Sequence, residues 1–254
     1  MPADAPSHAP KEPSRAIPSE GSARGTSSEG LTRGRPTGSP RTARQALPLF
    51  FRHGSPCLLA AAVVGCAAAR IAVGGFGPWD LAPLAALALL WPLQEWLIHV
   101  LILHWKPRRL GRLTLDFRVP RKHRAHHRDP WNYEILFIPL HSFLYSIPIM
   151  VGLWLLATPS TELALTGITG HLALTFHYEA VHFLVHTRVQ PRTTYYQRLW
   201  RNHRLHHFKN ERYWYGVTRL EADRVFRTDP APDHVSRSPT VRTLHVELPE
   251  EVAA

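Results

Sequence analysis

Four long apolar segments constrain this chain more than any other feature: residues 56–73, 79–104, 134–157 and 161–186. About 20 apolar residues at ~1.5 Å of rise each cross the hydrocarbon of a bilayer. The segments therefore predict an all-α membrane protein with about four transmembrane helices. The mean hydropathy of −0.18 hides this, because it averages the apolar runs with polar ends. Pro83, Pro92, Pro139 and Pro148 fall inside the segments. They predict kinks, which membrane helices tolerate. Residues 1–50 are rich in Pro, Ser, Gly and Arg, with no leader-like apolar core, and are expected to be a disordered tail. Residues 229–254 are expected to be a second tail, leaving 51–228 as a single membrane domain.

Charge sets the expected orientation. The formal net charge is +11. Residues 74–78 and 158–160, the two short turns, contain no Lys or Arg. The linker between the second and third segments carries Lys106, Arg108, Arg109, Arg112, Arg118, Arg121, Lys122, Arg124 and Arg128, and residues 188–227 are equally basic. Positive loops stay cytoplasmic, so both termini, the linker and the region after the fourth segment are expected on that side. Topology and anionic headgroups account for the basic excess. No nucleic-acid-reading motif is visible, so nucleic acid is not an expected partner. The Ala-, Arg- and Pro-rich composition points to a bacterial inner membrane. Cys57 and Cys66 lie nine apart on one expected helix, too far for a disulfide. With no C-x-x-C, they read as packing residues.

Seventeen histidines are present, and ten of them fall into four clusters. Segment two ends in His99-Val-Leu-Ile-Leu-His104, and the linker holds His123-Arg-Ala-His126-His127. Segment four ends in His182-Phe-Leu-Val-His186, followed by His203-Arg-Leu-His206-His207. All lie at the expected cytoplasmic face. In H-x-x-H-H the three imidazoles share about 100° of helix arc and can serve two neighbouring metals. His182 and His186, four apart, share a face. His99 and His104, five apart, are about 140° apart on an α-helix; a kinked or frayed helix end, or two separate metals, reconciles them. Neutral imidazole suits Fe, Zn, Cu and Ni, so residue type does not separate iron from zinc. One histidine is usually a packing residue, but this set predicts a metal site, since histidine near a membrane is costly unless paired or ligated.

Other residues read as support. Glu95 and Glu179 are the candidate catalytic carboxylates, each able to accept the second ring N–H of a ligating histidine; the bland alternative is pairing with nearby Arg. Asn202 and Asn210 could hydrogen-bond a metal-bound water. Trp96, Trp105, Trp131, Tyr178, Tyr213, Trp214 and Tyr215 read as an interfacial aromatic belt, or in part as the lining of an acyl tunnel. His8, His53, His234 and His245 are expected to be inert and His141 and His171 structural, while His177 could reach the site.

The full series H-x4-H, H-x-x-H-H, H-x3-H, H-x-x-H-H resembles the fatty acid hydroxylase superfamily. These membrane histidine-rich di-iron oxygenases include fatty acid 2-hydroxylases, sterol desaturases and sterol C4-methyl oxidases. Eighteen residues between His104 and His123, and the stretch Glu211-Arg-Tyr-Trp-Tyr-Gly-Val-Thr218, are similar to the 2-hydroxylase branch. The resemblance covers residues 84–228. It implies four transmembrane helices with a cytosolic histidine-rich helical cap, and two iron ions held by the ten histidines: His99, His104, His123, His126, His127, His182, His186, His203, His206 and His207. It implies O₂-dependent hydroxylation of a membrane lipid's acyl chain. Unlike many eukaryotic relatives, the chain shows no cytochrome b5-like segment. It also has no G-x-G-x-x-G and no ferredoxin cysteines. Electrons are therefore expected from a separate donor such as a ferredoxin or cytochrome, and an acidic one suits the basic face. The alternatives are a carotenoid hydroxylase, whose last motif His203–His207 matches but whose first two motifs lie closer together, and a sterol or lipid desaturase with the same site. From other classes come a zinc-dependent membrane hydrolase or metal carrier, and a non-catalytic interaction protein. Iron content and O₂ dependence separate them.

Overall fold

In the computed structural model, residues 38–246 are described. The outer parts of both expected tails, 1–37 and 247–254, lie outside the described residues. The inner parts do not behave as tails. Residues Ala43–Phe50 form helix α1, whose first turn is capped by Thr42 accepting from the Gln45 N–H. It buries Ala46 and Phe50 against Phe137 and Phe183, enough apolar surface to hold a segment whose composition reads as polar. At the other end Val235, Val241 and Leu244 are buried. Described structure therefore extends on both sides of the membrane domain expected at 51–228.

Helix α2 spans Gly54–Val73. Helix α3 (Leu81–Leu97) starts from a short 3-10 turn and runs straight into a π-helix, Ile98–Leu103. Helix α5 is Phe143–Ala157 and α6 is Thr161–Val185. Three helical stretches among the described residues are long and apolar enough to cross a membrane: Gly54–Val73, Pro78–Leu103 and Tyr133–Ala157. Their outer faces carry bare apolar side chains, such as Leu89 at 77% exposure and Leu156 at 87%. The fourth expected span, α6, has the length but not the apolarity: Glu162, His171, His177, Glu179 and His182 all lie on it. Its packing explains this, because α6 contacts α2, α3 and α5 and is the central helix. Close contact is set by Gly167, where a Cβ would overlap the Trp154 ring.

Two of the four prolines stand outside helix interiors, where the expected kinks do not arise. Pro83 sits in the first turn of α3, where no intrahelical N–H is lost. Pro139 precedes a separate 3-10 turn, so the third segment becomes helical continuously only from Phe143. Pro92 and Pro148 lie within helices. Cys57 and Cys66 are both free, on α2.

The linker departs from the all-α expectation. Strands β1 (Arg108–Leu110) and β2 (Leu113–Leu115) form an antiparallel hairpin, with Gly111 at φ 60° in its turn. Helix α4 (Arg118–Arg128) follows. After α6 come α7 (Thr194–Phe208) and the short α8 (Glu221–Val225).

Candidate metal centre

The ten clustered histidines converge at one end of the helices. His99 comes from the π-helix and His104 from its C-terminal cap; α4 supplies His123, His126 and His127. The end of α6 supplies His182 and His186, and α7 supplies His203, His206 and His207. Nine are buried, and His104 is half-buried. The five-residue spacing of His99 and His104 is resolved by the π-turn. The His104 N–H donates to the His99 carbonyl at 3.0 Å, so the wider turn brings both rings to one side, with centroids 5.0 Å apart.

The imidazoles sort into two groups of five: His99, His104, His123, His127 and His206, and His126, His182, His186, His203 and His207. Within each group the ligating atoms all lie within 4.8 Å of one another. Opposed ligands at metal–imidazole bonds of about 2.0–2.1 Å would be about 4 Å apart. The groups interleave. The first and third histidines of each H-x-x-H-H go to one group and the middle one to the other.

This arrangement fits a metal pair on its hydrogen bonding. His99 Nδ1 faces the Tyr215 carbonyl at 2.6 Å, His206 Nδ1 the Tyr213 carbonyl at 2.8 Å, and His127 Nδ1 the Val241 carbonyl at 3.1 Å. Donation to each carbonyl puts the hydrogen on Nδ1 and leaves an Nε2 lone pair aimed inward. Buried nitrogens without a hydrogen-bond partner gather here: Nε2 of His99, His123, His127 and His182, Nδ1 of His203 and His207, and both nitrogens of His126. Buried polar atoms are rarely left unpaired, so such a concentration marks a place for a ligand. Burial, then the neighbouring imidazoles, hold His104, His123, His126, His203 and His207 well below the ordinary histidine range. Burial pushes His127 down to about 3. All therefore stay neutral near pH 7, the form that binds metal.

The supporting carboxylates act elsewhere than expected. Glu95 accepts from the Val217 N–H, the Thr218 N–H (2.8 Å), the Thr218 hydroxyl and Trp91 Nε1 (3.2 Å). It makes no hydrogen bond to a histidine of either group, but anchors the segment whose Tyr215 carbonyl orients His99. Glu179 accepts from the Ile138 N–H at 2.7 Å, again without a histidine partner. Two residues unmarked in the sequence matter more. Arg124 and Arg204, each directly after the first histidine of its H-x-x-H-H, are fully buried. Arg124 bonds Asp116 (2.6 Å) and the Trp105 carbonyl (2.9 Å); Arg204 bonds the Val185 and Thr187 carbonyls, both at 3.0 Å. They fix α4 to the linker and α7 to the end of α6. Only the repeated H-R pairing could have signalled this.

Other histidines stay outside the groups. His171 bonds Gln94 (3.0 Å) and Trp154 (3.4 Å). His177 lies against Tyr196. His53, at the N-cap position of α2, bonds the Leu49 carbonyl through Nδ1 at 2.9 Å without a side-chain cap bond, and His245 bonds Thr240 and pairs with Glu211 rather than lying inert. Asn210 serves a turn, accepting from the Arg212 N–H and donating to the Ser236 carbonyl. Trp214 and Tyr215 are buried beside the site instead of facing lipid.

A cavity of about 280 Å³ leads from the apolar helices to the histidines. Leu59, Ile147, Met150 and Leu172 line its apolar part, while His123, His126 and His182 mark its other end. Both five-histidine groups therefore touch one apolar chamber. Tyr178 is in its wall, which favours the tunnel reading for that residue.

Comparison with known proteins agrees with this geometry. The fatty acid hydroxylase family model matches residues 84–228. Dihydroceramide fatty acyl 2-hydroxylase FAH2 of Arabidopsis thaliana is 30% identical over 143 residues, 56% of this chain and 58% of that protein. Dihydroceramide fatty acyl 2-hydroxylase FAH1 of Arabidopsis thaliana is 25% identical over 177 residues, 69% of this chain and 72% of the relative. The chain thus matches less than two thirds of the length of FAH2. The solved structure of full-length scs7p, with only its hydroxylase domain visible, superimposes with a TM-score of 0.59 at 22% identity, covering 72% of this chain and 68% of that one. That likeness is one of fold.

Proposed function

The chain belongs to the fatty acid hydroxylase family, and from that premise we propose that it is a membrane oxygenase hydroxylating a lipid acyl chain with O₂, two iron ions and electrons from a separate donor. The observation that carries this reading is the apolar cavity ending on histidines of both groups. The ten histidines are the proposed ligands, five to each ion. When bound, an iron pair supplies O₂ reduction and C–H hydroxylation: R–H + O₂ + 2 e⁻ + 2 H⁺ gives R–OH and water.

The chain's own residues do the remaining work. The carbonyls of Tyr213, Tyr215 and Val241 fix three imidazole tautomers, and Glu95 holds the strand of chain that presents the Tyr215 carbonyl. Apolar walls from α2, α3, α5 and α6 receive the acyl chain and exclude water. In this reading α6 is a fourth span shielded by its neighbours. In the same reading the Lys and Arg distribution favours the cytoplasmic side for both termini and the site, and the Ala-, Arg- and Pro-rich composition favours a bacterial inner membrane. The basic cytoplasmic face receives an acidic ferredoxin or cytochrome; electron transfer insensitive to salt would refute that part.

The test is metal per chain after growth with iron, together with lipid mass spectrometry under O₂. About two irons per chain and lipids gaining one oxygen are expected. Absence of any metal, or no oxygen gain after iron reconstitution, refutes the proposal.

A further inference from the structure

The hairpin ahead of α4 has two unequal faces. Arg108 pairs with Leu115, Arg109 with Thr114 and Leu110 with Leu113. Side chains alternate along a strand, so Arg108, Leu110, Leu113 and Leu115 share one face and Arg109 and Thr114 the other. The leucines at the tip are bare, Leu110 at 68% exposure and Leu113 at 60%. A two-stranded hairpin is marginal in water unless an apolar face is packed. Its base is nonetheless fixed. Arg124 donates to the Trp105 carbonyl before the hairpin (2.9 Å) and to Asp116 Oδ1 after it (2.6 Å). That base adjoins bare apolar surface. Arg108 comes five residues after Leu103, the end of a stretch long and apolar enough to cross a membrane. Leu101 and Ile102 are exposed on that stretch, and so is Phe117 beside the hairpin. Trp105 joins them: its backbone N–H donates to the Ile102 carbonyl at 3.2 Å, and its ring meets Phe117 at 5.7 Å.

Charge selects what covers the tip. Arg108, Arg109 and Arg112 are all exposed. The Arg108 guanidinium lies over the Trp105 ring at 4.6 Å. The side chains of Arg109 and Arg112 have no hydrogen-bond or ion-pair partner among the described residues. No Asp or Glu lies between Trp105 and Leu115, and Asp116 is engaged by Arg121 and Arg124. An acidic soluble partner would answer the arginines but not the run of bare apolar side chains that leads from the span to the tip. The headgroup layer of a membrane answers both, with phosphates for guanidinium groups and acyl chains beneath them for the leucines. We propose that residues 108–115 are a lipid-docking element: Leu110 and Leu113 dip below the headgroups of the adjoining leaflet, and Arg108, Arg109 and Arg112 pair with anionic phospholipids there. Membrane embedding is its premise. It stands whether or not the chain hydroxylates a lipid.

The experiment places a polarity-sensitive fluorophore on Leu113→Cys, or on Thr114→Cys of the opposite face, with Cys57 and Cys66 both changed to Ala. The metal-loaded full chain is reconstituted in vesicles of phosphatidylcholine alone or mixed with phosphatidylglycerol. Quenching by iodide reads exposure to water, and quenching by a nitroxide-bearing lipid reads contact with the bilayer. In the anionic vesicles the label at 113 should be quenched by the lipid and shielded from iodide, while the label at 114 stays open to iodide. Each of Arg108→Gln, Arg109→Gln and Arg112→Gln should lower the ratio of docked to free hairpin by about fivefold, the worth of one basic residue at an anionic surface. Equal iodide quenching at 113 and 114 would overturn the proposal, and equal shielding in the two kinds of vesicle would overturn the pairing with anionic lipid. Shielding at 113 that arises only when an acidic ferredoxin is added would hand the hairpin to a protein partner instead. The substituted residues are exposed and metal per chain is measured on each variant, so a folding defect is seen separately.

Discussion

Two polar clusters sit at opposite ends of α3 and α6, and they are built on opposite principles. At one end, Arg70 of α2 donates to Thr166 Oγ1 (2.8 Å), to Asp80 Oδ1 (2.6 Å) and to the Gly74 carbonyl, and it covers the Phe76 ring at 3.8 Å. Thr166 donates to Asp80 Oδ1 at 2.6 Å, and the Gly77 N–H reaches Asp80 Oδ2 at 2.9 Å. The donors have acceptors and the charges cancel. At the other end, ten imidazoles face inward with many nitrogens unpartnered. The first cluster closes on itself and ties three helices together. The second leaves its unpaired nitrogens to the metal ions proposed above.

That contrast can be broken most forcefully at the open end. Changing His126 and His206 together to Ala removes one ligand from each group. Turnover should fall to background and metal per chain should collapse, while membrane insertion measured by fractionation stays normal. Retained iron in that double variant would mean the two groups are not the metal site.

At the closed end the reverse pattern is expected. Asp80→Ala leaves the buried Arg70 guanidinium short of its counter-charge and should lower the melting temperature in detergent. Metal per folded chain should not change. Loss of metal there would show that the two ends are coupled. Gly167→Ala probes the contact of α6 with α5 without touching charge. Overpacking against Trp154 should cost about 1–3 kcal/mol, again with the metal retained.

A subtler test bears on orientation. Glu95→Gln keeps the volume but replaces one accepting oxygen with an amide donor facing the Val217 and Thr218 donors. Loosening a supporting partner of a metal ligand typically costs about 10–100-fold in affinity, read as faster loss of metal to a chelator. The open end also imposes a pH signature on the metal-free chain. Below the ordinary imidazole value of about 6.5, the unfolded chain takes up protons that the buried imidazoles refuse. Stability should therefore fall as pH drops from there towards about 3, where His127 protonates in the fold. A flat melting profile between pH 7.5 and 5 would contradict burial of neutral histidines. The smallest effect belongs to His234→Ala, an exposed residue outside both groups, which should alter neither metal nor melting.

Much of the open end was legible because imidazole spacing maps directly onto helix faces, as at His182 and His186. The interleaving was not. Which group His126 or His206 joins depends on how α4 and α7 cross, and that is a tertiary fact. The π-turn was visible only as an awkward five-residue gap between His99 and His104. Glu95 and Glu179 were read as histidine partners because side-chain type suggests it. The acceptors that touch histidines are backbone carbonyls of Tyr213, Tyr215 and Val241, which leave no mark in residue identity. For the same reason residues 229–246 passed for a tail. Arg124 and Arg204 looked like topology charges, since a buried guanidinium bonded to carbonyls has the same letter as a solvated one. The hairpin at Arg108–Leu115 has strands of three residues, too short for any periodicity to register.

The interleaved histidines also bear on how the site comes into being. On the proposed ligand set, neither H-x-x-H-H helix would own a coordination sphere: α4 lends two histidines to one group and one to the other, and α7 does the same in reverse. A chain with only one of these helices docked would offer two half-built sites and no complete one. Loading should then resemble the closing of a zip. On that ligand set, binding a first ion would hold α4 against α7 and complete the geometry for a second, so a titration of the apo-protein should trace one steep sigmoid and not two separate plateaus.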